Sequence, residues 1–122
     1  IHAGSARQAL TRLRFVAQLS EAAAQLPVAA LNSLVSEAVD LVVHTERGPQ
    51  GPRVTSILAV EDLTAGPDAV QFTTTELFHR PRLGSELVPT GLLPLRATER
   101  LERHGHDVRE LLGAHQPEEG LR

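Results

Sequence analysis

His2 stands just ahead of a Gly4-Ser5 pair, and an amphipathic segment begins directly after that pair. An imidazole titrates near neutrality. A helix N-terminus presents unsatisfied amides and the positive end of the helix dipole. Side by side, the two make a place to meet an anion such as a phosphate or a carboxylate. Arg7, Arg12 and Arg14 follow on the same segment, and guanidinium forks match phosphate oxygens. Ser5 adds a hydroxyl at the same end. The competing readings are plainer: a terminal histidine with no role, and arginines that solvate a helix face. Spacing alone favours the plainer pair.

Other residues with chemical capacity read as structural. His104-Gly-His106, with Asp107 and His115 nearby, offers part of a metal-ligand set. A metal needs three or four converging donors, so a surface turn is the stronger reading. Asp40 leads an apolar run and is expected to act as a local cap or turn acceptor that sets strand register. The adjacent acidic pairs Glu61-Asp62 and Glu118-Glu119 read as loop charge. No G-x-S-x-G elbow is present, which leaves a hydrolase triad unsupported. The chain contains no cysteine, which removes disulfides, thiolate metal sites and cysteine nucleophiles and fits a reducing compartment. All 12 basic residues are arginine. Without lysine this sequence holds neither a G-x-x-x-x-G-K-[ST] phosphate loop nor a Schiff-base residue.

The 122 residues suffice for one domain or part of one. Phe15, Phe72 and Phe78 are the only aromatics, so the core must be aliphatic. The net charge of -3 gives no general attraction to nucleic acid or an anionic membrane, and stacking platforms for single-stranded nucleic acid are missing. The apolar stretch 28–43 is interrupted by Asn32, Ser33, Glu37 and Asp40 and is too polar and short to span a bilayer. With no methionine in the sequence, the protein is expected to begin upstream of Ile1.

The elements that must position these residues follow from periodicity. Ser5 is a fitting N-cap for a helix over 6–19, with Ala6, Ala9, Leu10, Leu13, Val16 and Ala17 as its buried stripe. Pro27 suits the first position of a second helix, ending near residue 38, with Val28, Leu31, Leu34, Val35 and Ala38 facing inward. Residues 40–45, 53–60 and 69–79 read as strands, with a dense turn signal over 47–52. Residues 80–90 read as irregular. A third helix is expected from Leu93 or Pro94 to Arg103, stopped by Gly105, and a short fourth over 106–112, capped by Gly113. The tail over 114–122 is polar and expected to be frayed. The predicted order is α-α-β-β-β-α-α with an antiparallel meander.

Several segments, in this order, resemble the type II/type IV secretion motor ATPases, particularly the tight-adherence pilus and conjugal-transfer branch. The opening from Ile1 to Leu13 is similar to that family's histidine box, a Thr-(Ile/Leu)-His-Ala-Asn-Ser pattern before a helix ending in Arg-Leu. Ser36-Glu-Ala-Val-Asp-Leu-Val-Val43 resembles its Ser-Ala-Val-Asp-Leu-(Ile/Val)-Val segment. Arg53-Val-Thr-Ser-Ile-Leu-Ala-Val60 resembles the following strand, and Glu76-Leu-Phe78 the next. Pro89-Thr-Gly91, Arg100-Leu101 and Gly105 are similar to the terminal helical section. The resemblance runs to about Leu112. It implies an α/β fold, the C-terminal part of a RecA-like P-loop ATPase domain spanning residues 1–113.

It further implies that His2 is a phosphate-sensing residue near the nucleotide γ-phosphate, with minor support from Ser5, Arg7 and Arg12. The intact parent would use ATP and Mg²⁺ and form a homo-hexamer. It would work at the cytoplasmic face of the inner membrane against a secretion or pilus platform protein, without spanning the membrane or contacting nucleic acid directly. In the family the Walker A, aspartate-box and Walker B segments precede the histidine box, so the chain alone is expected to be inactive. Gly4 departs from the family's asparagine and removes a side-chain amide. The alternative function is a non-catalytic interaction module that kept the fold and lacks the nucleotide site.

Overall fold

The computed structural model describes residues 1–63 and 70–113. Two helices, α1 (Ala6–Gln18) and α2 (Val28–Ala38), precede a four-stranded antiparallel sheet of β1 (Leu41–Gly48), β2 (Gly51–Val60), β3 (Thr74–His79) and β4 (Val88–Pro89), in that spatial order. Two further helices, α3 (Leu95–Arg103) and α4 (Val108–Leu111), close the described chain. The mixed α/β composition and the meander agree with the sequence reading. A fourth strand is added to it: residues 80–90 do not stay irregular, because Phe78 and His79 pair with Pro89 and Val88. Proline is tolerated there because β4 is an edge strand. The expected tail, 114–122, and with it His115, Glu118 and Glu119, lies outside the described residues.

Local chemistry starts α1. The Ser5 hydroxyl accepts the Gln8 amide at 3.1 Å, satisfying one of the orphan donors of the first turn. Loss of that oxygen in Ser5→Ala is expected to lower stability by about 1 kcal/mol, measurable as a shift in the urea midpoint at constant m-value. Pro27 is the N-cap of α2 and not its first helical residue, a one-position correction. Its extended ψ of 149° keeps it outside the helix, while its carbonyl accepts the Leu31 amide. The turn expected over 47–52 is tighter than predicted. Both strands run on until Gly48 pairs with Gly51 across Pro49 and Gln50. Gly51 has φ of 105°, a conformation that side-chain-bearing residues rarely adopt. In turn, β3 begins at Thr74, later than the predicted residue 69, because the backbone over 70–72 is diverted to α1 by arginine contacts described below.

The core is small and aliphatic apart from one phenylalanine. Leu10, Val35, Val60 and Phe72 form it, with Val39 and Val42 packed against it. The expected stripe of α1 is only half used: Ala6, Ala9 and Leu10 are buried, whereas Leu13 and Val16 are exposed. On α2, Leu31 and Val35 are buried but Leu34 and Ala38 are exposed. The reason is geometric. The buried positions of α1 all lie in its first half; beyond them Arg14 still reaches Asn32 of α2, but Leu13 and Val16 point away from that contact and stay exposed.

The α3 helix is attached by polar groups, since it buries no residue of its own. Its N-cap is Pro94, which has no side-chain oxygen to offer its first amides. Glu61 supplies one instead. It is 3 % exposed, and its carboxylate accepts the Leu95 amide at 2.7 Å and the Arg96 amide at 3.4 Å. The reading of Glu61 as loop charge is therefore corrected. In return, Arg96 donates to the Ser36 and Val39 carbonyls at the C-terminal end of α2. That helix has no basic residue in its own last turn, so Arg96 complements its dipole from a distance in sequence. Each helix end is thus completed by a residue from elsewhere in the chain. No helix among the described residues is long and apolar enough to cross a membrane.

Candidate functional site

The N-terminus of α1 sits over the face of β1, β2 and β3. Between them lies an open cleft of about 480 Å³, whose lining includes Gly4, Ser5, His44, Glu76, His79 and Arg80. Two irregularities in the ladders shape it. Between His44 and Thr45 the register with β2 shifts, leaving Thr55 as an extra residue. Between Ile57 and Leu58 the register with β3 shifts, leaving Leu77 extra. Bulges of this kind bend a strand and re-aim side chains. The first brings Thr55 Oγ1 to 2.8 Å from His44 Nδ1.

The cleft carries charge of both signs. Ser56 Oγ donates to Glu76 Oε1 at 2.9 Å. Arg80 donates from Nε to the Val54 carbonyl at 2.8 Å and from Nη1 to the Ser85 carbonyl. The His79 Nδ1 atom is buried there without a hydrogen-bond partner among the described residues. His44 Nδ1 also lies 3.9 Å from Glu46 Oε1, a loose pairing whose charge depends on protonation.

Of the residues singled out by sequence, Ser5 and Arg7 line this cleft, and His2, Arg12 and Arg14 do not. Ser5 caps α1 and lines the cleft. His2 is exposed, and its carbonyl accepts Arg12 Nη1 at 2.8 Å. The next carbonyl, of Ala3, lies 3.1 Å from His44 Nε2. Arg7 lines the cleft while its Nη2 donates to the Phe72 carbonyl at 3.1 Å. Arg14 donates to the Val70 carbonyl at 3.2 Å and to Asn32 Oδ1 at 3.1 Å. All three arginines thus spend guanidinium hydrogens on the protein's own oxygens, two of them drawing residues 70–72 onto α1. Gly4 tolerates a longer side chain at the cost of one adjustment. A Cβ there would come 2.8 Å from Gln8 Oε1, the end of a flexible side chain.

Asp40 is structural, but its side chain pairs with distant arginines and not as the local cap or turn acceptor expected. Its carbonyl accepts the Val60 amide at 2.9 Å, and its carboxylate faces Arg96 at 3.2 Å and Arg100 at 3.5 Å. His104 and His106 are exposed, and His104 Nδ1 is engaged by the Arg100 carbonyl at 2.8 Å. No group of three or more metal-ligating side chains occurs among the described residues. Sequence reasoning named Glu61 and Glu76 only as loop charge and as part of a strand, and gave no role to His44 or His79.

Over 66 residues this chain is 41% identical to "Probable conjugal transfer protein TrbB" of Sinorhizobium fredii (strain NBRC 101917 / NGR234). The match covers 54% of the chain and 18% of that protein, less than a fifth of its length. The chain is therefore related in sequence to a conjugal transfer protein. No protein-family model matches it, and no solved structure matches it.

Proposed function

We propose that this chain is the C-terminal portion of the ATPase subunit of a conjugal transfer or related type IV secretion apparatus, the closing part of a RecA-like domain. The observation that carries the proposal is the 41% identity to a conjugal transfer protein. The arrangement at the N-terminal end is compatible with it: an exposed histidine beside a serine-capped helix of 13 residues, whose first amides can face an anion.

In this reading His2 faces the γ-phosphate side of a bound nucleotide and distinguishes the triphosphate from the diphosphate state. It biases a domain motion by binding one state better than the other. Ser5 holds the helix end in place, and Arg7 and Arg12 hold the backbone around it. ATP and Mg²⁺ would be gripped mainly by residues outside this sequence, since the chain has no lysine for a phosphate loop. The working form would be a homo-hexamer acting against a membrane platform protein at the cytoplasmic face.

Steady-state ATPase assays on the full-length protein test this. His2→Ala is expected to lower kcat by about 10²-fold, the scale of one transition-state contact, with nucleotide Kd changed little. The 122-residue chain alone is expected to show no magnesium-dependent turnover. An unchanged kcat in His2→Ala would make the histidine structural. A full-length protein without a G-x-x-x-x-G-K-[ST] loop would favour the non-catalytic interaction module.

A further inference from the structure

Two consecutive carbonyls, those of His2 and Ala3, are each held by a side chain from a different element. Arg12 of α1 holds the first at 2.8 Å, and His44 of β1 lies 3.1 Å from the second. The His2 imidazole itself makes no hydrogen bond among the described residues and is exposed, so the backbone is the only handle on its position. Gly4 follows directly, and without such a handle a glycine would let the segment swing.

The chemistry of the His44 contacts assigns its proton. A carbonyl oxygen only accepts, so His44 Nε2 must carry the hydrogen that meets Ala3. In the neutral ring Nδ1 is then an acceptor, and Thr55 Oγ1 at 2.8 Å donates to it in preference to the His44 carbonyl, which lies at 3.4 Å. Thr55 reaches that position because of the bulge in β2. The His44 side chain is 12 % exposed, so its ring is largely enclosed while the ring of His2 is free to meet a ligand. The second histidine therefore has the geometry of a support and the first that of a contact.

We propose that His44 is a positioning residue for His2: with Arg12 it forms a two-carbonyl clamp that fixes the histidine's backbone relative to the sheet, and Thr55 sets the His44 tautomer. The consequence for catalysis rests on the reading of His2 as a phosphate-sensing residue. The clamp itself does not. It links β1 to the entry of α1, so a shift of the sheet edge would move the His2 imidazole with it.

The experiment has two arms. In the first, nitrogen-15 NMR of the 122-residue chain reads the His44 tautomer and the backbone order parameters of residues 2–5. The Nε2–H tautomer is expected. His44→Ala should lower the order parameters at Ala3 and Gly4 from the rigid range toward below about 0.6, with β2–β3 amides unchanged. His44→Gln, whose amide nitrogen can replace Nε2–H, should restore the order. A Nδ1–H tautomer, or unaltered order parameters in His44→Ala, overturns the clamp. In the second arm, full-length His44→Ala should lower kcat with KM for ATP unchanged, His44→Gln should recover it, and adding His44→Ala to His2→Ala should cost nothing more. If His2→Ala slows turnover and His44→Ala does not, the positioning role is wrong. If neither slows it while the order-parameter result holds, the clamp stands and the motor reading falls.

Discussion

Glu61→Ala is expected to loosen the α3–α4 unit and to lower stability by about 3 kcal/mol, the sum of a charge-assisted hydrogen bond and the helix-dipole interaction. The carboxylate is 3 % exposed and meets the first amides of α3 at 2.7 and 3.4 Å. Pro94 offers no side-chain oxygen as a substitute, and α3 itself has only half-buried apolar residues such as Ala97 and Leu101, Val108 of α4 being the buried one of the unit. Exposed ion pairs such as Arg103 with Glu99 contribute far less, typically under about 1 kcal/mol. The attachment thus depends on Glu61 and on Arg96, whose guanidinium spans the Ser36 and Val39 carbonyls and the Asp40 carboxylate. Chemical denaturation would give the stability change, and hydrogen exchange would locate it. Exchange should accelerate over 95–103 before it does in β1–β2. Glu61→Gln, which keeps an accepting oxygen and loses the charge, should cost less. Equal stability of Glu61→Ala and the parent would mean that α3 is held by something other than this carboxylate.

Leu10→Ala is expected to cost about 3–4 kcal/mol, the usual range for a large-to-small change at a packed position. Leu10 is 1 % exposed and belongs to the cluster with Val35, Val60 and Phe72. That cluster is the place where both first helices, the central strand and the loop at residue 72 meet. A cavity there has few neighbours able to collapse into it. The matched control is Leu13→Ala, on the same helix and equally apolar in sequence but 37 % exposed. It should change stability by under about 1 kcal/mol. Urea unfolding of the two variants separates them, and comparable losses would show that the second half of α1 is covered after all.

That pair of leucines marks how far the sequence could be read. Periodicity placed α1 correctly, from the Ser5 cap to within one residue of its end. It assigned Leu13 and Val16 to a core that is not there, because periodicity reports which face is apolar and not how far a partner extends along it. Local chemistry located the helix start at Ser5, the stop at Gly105 and the β-branched strands, whereas the last helix, expected over 106–112, is shorter and starts after an Asp107 cap. The hairpin position was legible from Arg47 to Pro52, while its tightness was not, since the turn depends on how both strands continue to pair. At the candidate site, His2, Ser5, Arg7 and Arg12 could be named from composition and order. Their supports could not: Arg12 spends its guanidinium on the His2 backbone, and His44 arrives from a strand that carried no functional signal.

Local preferences act within a few residues, and for those the order of amino acids is sufficient. A serine before a helix caps it, a glycine admits a positive φ, and β-branched runs extend. The contacts that assemble this molecule link residues 34 apart for Glu61 and Leu95, 41 for His44 and Ala3, and 60 for Arg96 and Ser36. An isolated glutamate, histidine or arginine gives no sign of such a partner, because the worth of a polar contact depends on distance, direction and loss of water, all of which arise once the chain has folded. Glu61, read as solvated charge in its own neighbourhood, becomes a helix cap only when α3 is brought to it.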